Sequence, residues 1–158
     1  MSNVYTCLWF NGQAEEAAKF YTSLVPNSNM GNVSRSPADN PSVSEGMALT
    51  VDFTLDGVPY QALNGGPDFQ FNEAASIVVI CDDQAETNRL WDALIAGGGE
   101  PSNCGWLKDR FGLSWQIVPR RLMELLGDSD PDRARRAMQS MLEMHKIEIA
   151  QLEAAANG

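Results

Sequence analysis

Residues 109–119 read DRFGLSWQIVP, and residues 56–64 read DGVPYQALN. In each stretch a glycine turn opens a strand, and a glutamine follows the glycine four residues on: Gly112 and Gln116, Gly57 and Gln61. Asp56-Gly57 is the strongest hairpin signal in the chain, because a tight two-residue turn needs residues that tolerate positive φ. A glutamine in the middle of a mostly apolar strand needs hydrogen-bond partners. Solvent, other protein groups or a ligand can supply them.

Working outward, the same order of elements surrounds both stretches. Val4–Phe10 (VYTCLWF) reads as a largely buried strand, Asn11-Gly12 as a turn, and Gln13–Leu24 as a helix with Ala14, Ala17, Ala18, Tyr21 and Leu24 on one face. Pro26 stops that helix. Residues 27–46 carry a weakly signalled strand and then a loop around SRSPADNPS. Met47–Leu55 and Val58–Asn64 form the first hairpin. Ser76–Cys81 (SIVVIC) is again a buried strand, Gln84–Ala96 a helix closed by Gly97-Gly98-Gly99, and Gly105–Lys108 with Leu113–Val118 a final hairpin. Gln13-Ala14-Glu15 recurs as Gln84-Ala85-Glu86, and Phe20 matches Trp91 at the same offset. The chain is an internal repeat.

The repeat halves run over about residues 1–68 and 74–120, inside a domain of residues 1–128. Residues 129–158 stand outside it as a helical extension. Asp130 is a good N-cap and Pro131 a good first helical residue; the helix is predicted to run to about His145, with a second over Lys146–Ala156. The extension brings Met138, Met141, Leu142, Ile147, Ile149 and Leu152, which must pack on their own domain or on a second copy. We expect a homodimer whose interface includes these helices.

Bulk properties exclude several partners. With 44% apolar residues the chain can build a real core, and its net charge of −10 repels phosphate backbones and anionic lipid. No stretch is long and apolar enough to span a bilayer, and MSNVYTCLWFNG lacks the basic and apolar regions of an export signal. Cys7, Cys81 and Cys104 form no CxxC pair, which fits reduced thiols in a cytoplasm. We therefore expect a cytoplasmic protein with a small-molecule partner and neither nucleic acid nor membrane. The single histidine, His145, cannot supply a site needing two.

Two βαβββ halves are the build of the vicinal oxygen chelate superfamily, which holds the glyoxalases, bleomycin resistance proteins and related dioxygenases, and this chain resembles it from end to end. The stretches CLWFNGQAEEAAKFY, ALNGGPDFQFNEA and CGWLKDRFGLSWQIVPRR are similar to those of the PhnB-like branch, often labelled demethylubiquinone methyltransferase-like. The resemblance implies an α+β fold in which two curled sheets form a cup for a small molecule. It also implies a cavity metal held, in metal-using relatives, by two histidines and two glutamates on the first and last strands of each half. On this pattern Gln116 and Gln61 occupy the glutamate places and Ser76 a histidine place. The remaining histidine place falls between Val4 and Thr6. Neutral amides are poor ligands for a divalent cation, so no metal cofactor is expected.

The candidate ligand-cavity residues are accordingly Gln61, Asn64, Ser76, Trp106 and Gln116. Gln61 and Gln116 can each offer a donor and an acceptor to a polar ligand. Trp115 alternates with Gln116 and should be core, as should Trp91 on its helix face, while Trp106 beside the final hairpin is the better wall residue. Cys104, near Lys108 and Arg110, lacks a histidine partner for nucleophilic chemistry. Gly97–Gly99 follow a helix, so they stop it and do not form a nucleotide loop, which counts against an S-adenosylmethionine-type methyltransferase fold. The arginines near the C-terminus form a solvated or interfacial face. The expected function is binding of a small, partly apolar molecule in a metal-poor cup. The alternatives are a metal-dependent lyase, isomerase or dioxygenase, or a methyltransferase-related activity.

Overall fold

A computed structural model describes residues 2–158 of the chain. Two compact units divide it, Met1–Phe71 and Asn72–Gly158.

The first unit contains β1 (Thr6–Phe10), α1 (Ala14–Leu24), β2 (Asn29–Arg35), β3 (Ala48–Leu55) and β4 (Val58–Asn64). Its sheet runs β1-β4-β3-β2, with β1 parallel to β4 and the other pairs antiparallel. Asp56 and Gly57 take φ of 46° and 77°, the two positive values that the β3–β4 turn needs. Alternation sorts the side chains. Leu8, Phe10, Val51, Phe53, Leu55 and Ala62 are buried on the helix side, where Ala14, Ala17, Ala18 and Tyr21 of α1 also lose all contact with solvent. Leu24, expected on the same helix face, is only half-buried.

The second unit repeats this plan with β5 (Ser76–Cys81), α2 (Gln84–Ile95), β6 (Glu100–Pro101), β7 (Trp106–Lys108) and β8 (Ser114–Pro119). Its sheet order, β5-β8-β7-β6 with β5 parallel to β8, matches the first. Asp83 caps α2 by accepting from Glu86 N. Trp91 and Trp115 are core, as alternation and helical spacing require; the indole of Trp115 donates to buried Asp109 Oδ2 at 2.9 Å. Asp109 also accepts from Phe111 N and Leu113 N, so one carboxylate ties together the whole DRFG turn. The protein is thus α+β, two βαβββ modules with a C-terminal helical part.

That helical part differs in detail from the sequence reading. Arg120–Leu126 forms a helix, α3, directly after β8, where no cap or turn residue announces one. α4 covers Pro131–Leu142 with Asp130 accepting from Asp132 N, and ends three residues before His145. The backbone leaves the helix there because Met144 O and His145 O accept from Cys104 N and Gly105 N, both at 2.8 Å. α5 covers Ile149–Asn157. Leu122, Leu125, Ala137, Met144, Ile147, Leu152 and Ala156 make a core of their own within this unit. Ile147 and Leu152 are fully buried in it, each contributing about 1.5–3 kcal/mol before entropy. They are therefore unavailable to a partner, and only Met138 and Leu142 of the six expected interface residues remain exposed. Among the described residues no helix is long and apolar enough to cross a membrane.

Candidate functional site

Each sheet has a second face that its helix does not cover, and the two glutamines lie there. In the first unit Gln61 sits between Cys7 on β1 and Asp52 on β3. Gln61 Nε2 donates to Asp52 Oδ1 at 3.0 Å. The next row on this face is Trp9, Leu63 and Thr50. Trp9 is fixed by a 2.9 Å bond from its indole nitrogen to Gly66 O and by the edge of Phe69, whose ring centroid lies 4.9 Å away. Gly65 makes this possible: a Cβ there would sit 2.3 Å from the indole.

In the second unit the corresponding row is Val78, Gln116 and Trp106. Gln116 Nε2 donates to Ser76 Oγ at 2.9 Å, a diagonal bond across the parallel pair β5 and β8. Two of the candidate residues thus meet. Val78 and Ile80, half and one-third exposed, keep apolar surface beside them in solvent. Trp106 is half-buried and lines a cleft of about 150 Å³ together with Glu73, Glu100, Lys108 and Ser114.

Asn64 does not share this face. It is 4% exposed; its Oδ1 accepts from Ala14 N at 2.9 Å and its Nδ2 donates to Ala48 O at 2.9 Å. That side chain holds the start of α1 to the sheet and cannot also reach a ligand beside Gln61. Strand alternation explains it, since residues three apart face opposite ways. The same rule would have found Ser114 and Lys108, missed in the sequence, because Ser114 shares a face with Gln116 and pairs with Lys108. Asp52 had no sequence signal at all; only the β3–β4 register brings it to Gln61.

The donor set does not fit the metal that the resemblance implies. The strand positions opposite the glutamines hold Cys7 and Val78, the amides are neutral, and no three His, Cys, Asp or Glu side chains converge among the described residues. Burial raises the Cys7 thiol, which keeps it protonated and a weak ligand. His145 is exposed, with Nδ1 2.9 Å from Ser102 O. Cys104 is half-buried at φ 59°, at the bend where the C-terminal segment pairs with the β6–β7 loop.

Comparison with known proteins places this geometry in context. A family model described as 3-demethylubiquinone-9 3-methyltransferase matches residues 2–118. A Bacillus cereus structure described as a putative 3-demethylubiquinone-9 3-methyltransferase, PhnB protein, is 31% identical, covering 75% of this chain and 99% of that one with a TM-score of 0.67. A Pseudomonas aeruginosa protein is 21% identical over 75% of this chain and 98% of its own, with a TM-score of 0.60. The fosfomycin resistance protein FosX of Mesorhizobium loti shares the fold at 11% identity, covering 80% and 98%, with a TM-score of 0.54. No curated protein matches the chain.

Proposed function

Because this chain belongs to the family described as 3-demethylubiquinone-9 3-methyltransferase, the PhnB-like branch of the glyoxalase superfamily, we propose that it binds a small, partly apolar molecule on its glutamine-bearing sheet faces. One observation carries the proposal. Gln61 and Gln116 occupy the same place in both repeats, on the face away from the helix, and each keeps one amide hydrogen bond that fixes its orientation. An amide whose nitrogen is already held by one hydrogen bond, in the strand row of Trp106 and half-exposed Val78, has a carbonyl oxygen left to recognise a donor on a ligand whose body is apolar. The fold hosts many chemistries, so the family's description as a methyltransferase does not by itself assign a reaction. Gly97–Gly99 follow the C-terminal end of α2, with Gly97 and Gly98 at positive φ, the place of a helix stop and not of a glycine-rich strand-to-helix turn.

Two measurements on untagged, purified protein test the proposal. Native mass spectrometry should find a co-purifying organic molecule, or a metabolite screen a saturable ligand, whose affinity falls in Gln116→Ala. Elemental analysis should find far less than one Zn, Ni, Fe or Mn per chain. One transition metal per chain would favour the metalloenzyme reading; ligand binding unchanged in both Gln61→Ala and Gln116→Ala would refute the role of the amides.

We also propose that the chain pairs with a second copy through the part of α4 that its own unit leaves uncovered.

A further inference from the structure

Ser114 is 1% exposed, and its hydroxyl is the only buried side-chain polar atom among the described residues without a hydrogen-bond partner in the protein. Folds normally avoid this, because a buried hydroxyl gives up water and recovers nothing. Ser114 does not lie among helix-facing core residues. It shares a strand face with Gln116 and lines the cleft beside Trp106. The ladder puts Ser76, Ser114, Lys108 and Glu100 in one row across the four strands. A residue with an unpartnered, occluded hydroxyl therefore lines a concave site next to the amide already described, and a small rotation of its side chain would offer that hydroxyl to a ligand.

The charges lining the cleft select the ligand. Lys108 is ion-paired with Glu73, and Glu100 faces it across the ladder, so two carboxylates surround one ammonium. The pairing raises Lys108 and lowers Glu73, which keeps both ionised near neutrality. An anion entering here meets a lysine already neutralised and a second carboxylate. A cation meets the excess negative charge and an indole side chain. Size narrows the class further: about 150 Å³ is below the ~300 Å³ at which drug-sized pockets begin, and suits a head group of a few atoms.

We propose that the Ser114 cleft is a subsite for a small protonated amine, whose N–H groups reach Ser114 Oγ and the Glu100 carboxylate while its carbon packs on Trp106. The inference rests on the proposed binding function, since the rest of such a ligand would lie on the Gln116 face. It supplies the chemical class that the amide alone does not.

Titration of the 15N-labelled full chain with ethylammonium chloride tests it, followed by the indole N–H resonance of Trp106 (assigned with Trp106→Phe) and controlled with sodium acetate and sodium chloride. A saturable shift with ethylammonium alone is expected. Ser114→Ala should weaken binding about tenfold, the loss expected for a hydrogen bond to a charged group. Glu100→Gln, at an exposed edge position, should weaken it several-fold, and it tests the proposal even if Ser114→Ala fails to fold. Absence of a saturable shift, acetate binding as tightly as ethylammonium, or unchanged affinity in Glu100→Gln would each overturn the subsite. A co-purifying ligand that shifts the Gln116 side-chain amide while ethylammonium leaves Trp106 unmoved overturns the subsite and leaves the proposed function standing. Ethylammonium binding without any ligand on the Gln116 face supports the subsite and removes the broader function.

Discussion

Gln116 donates to the neutral hydroxyl of Ser76, whereas Gln61, at the equivalent strand position, donates to the carboxylate of Asp52. The repeat keeps the amide and changes its partner. Replacing each amide with an acid therefore has different consequences. In Gln116→Glu the Ser76 hydroxyl can turn and donate to the new carboxylate, so stability should change by less than about 0.5 kcal/mol. Gln61→Glu instead sets a carboxylate directly opposite Asp52 on paired strands, a like-charge contact costing on the order of 0.5–1 kcal/mol at pH 7. Mutual repulsion raises the folded-state pKa of that pair above its unfolded value. The deficit is thus present at neutral pH and shrinks as pH falls and the pair takes up a proton. Urea denaturation at pH 7 and pH 4 measures both; equal costs for the two variants would contradict this account.

Much of this was legible from period and punctuation. Asp56-Gly57 announced one hairpin, the recurrence of Gln13-Ala14-Glu15 announced the repeat, and alternation placed Trp115 in the core opposite Gln116. What could not be read is whatever depends on register between distant strands. Asp52 reaches Gln61 and Ser76 reaches Gln116 only through ladder positions that no local pattern encodes. α3 was invisible because it follows β8 without a side-chain cap, held by the burial of Leu122 and Leu125. The extension misled for a different reason. An apolar helical stripe states that a segment must be covered, but not by which surface, and most of this one is covered by its own unit.

Asn64 should behave as a structural residue. Asn64→Ala strands Ala14 N and Ala48 O, two backbone groups whose partner is a buried side chain, and should lower stability by roughly 2–4 kcal/mol. Asn64→Asp keeps an acceptor for Ala14 N, at the positive end of α1, and loses only the donor to Ala48 O. It should cost less than the alanine variant. A neutral Asn64→Ala would show that α1 docks without this link.

Two glycines separate backbone strain from crowding. Gly12 and Gly105 both have φ of +84°, but a Cβ at Gly12 meets nothing within 4 Å, whereas at Gly105 it lies 2.9 Å from Ile117 O and 3.1 Å from Ile147 Cγ1. Gly12→Ala should lose only the conformational term, about 1 kcal/mol. Gly105→Ala should lose clearly more, and should loosen the clasp between Cys104-Gly105 and Met144-His145, increasing amide exchange at those positions. Equal losses would mean that the clasp yields freely.

Cys81 is 1% exposed, and burial pushes its thiol up to about 11. Iodoacetamide must reach the sulfur and attacks thiolates, so at pH 8 buried Cys81 should react only after denaturant is added, while Cys7, its thiol also raised by desolvation but its side chain exposed, should be alkylated slowly in the native protein. Peptide mapping before and after unfolding reads this directly. Native labelling of Cys81 at a rate matching Cys7 would mean that the β5–α2 junction opens readily.

Assembly turns on what α4 leaves uncovered. Met138 and Leu142 lie one helical turn apart with 41% and 57% of their surface exposed, while Ala137, on the helix face between them and the unit's core, is fully buried. Ile147 and Leu152, also in the extension, are spent within the unit, so removing residues 130–158 would unfold that core and say nothing about pairing. A surface variant is the sound test. Light scattering at micromolar concentration should give twice the 17.3 kDa of one chain, and Met138→Glu with Leu142→Glu should return it to 17.3 kDa with the fold intact by circular dichroism. Placing two carboxylates in a closely packed two-fold contact, where each meets its own symmetry mate's surroundings, removes apolar burial and adds repulsion at once. A wild-type mass of one chain would end the dimer proposal. A double variant that stays paired would move the interface to another surface, with exposed Val78 and Ile80 of β5 the next place to substitute.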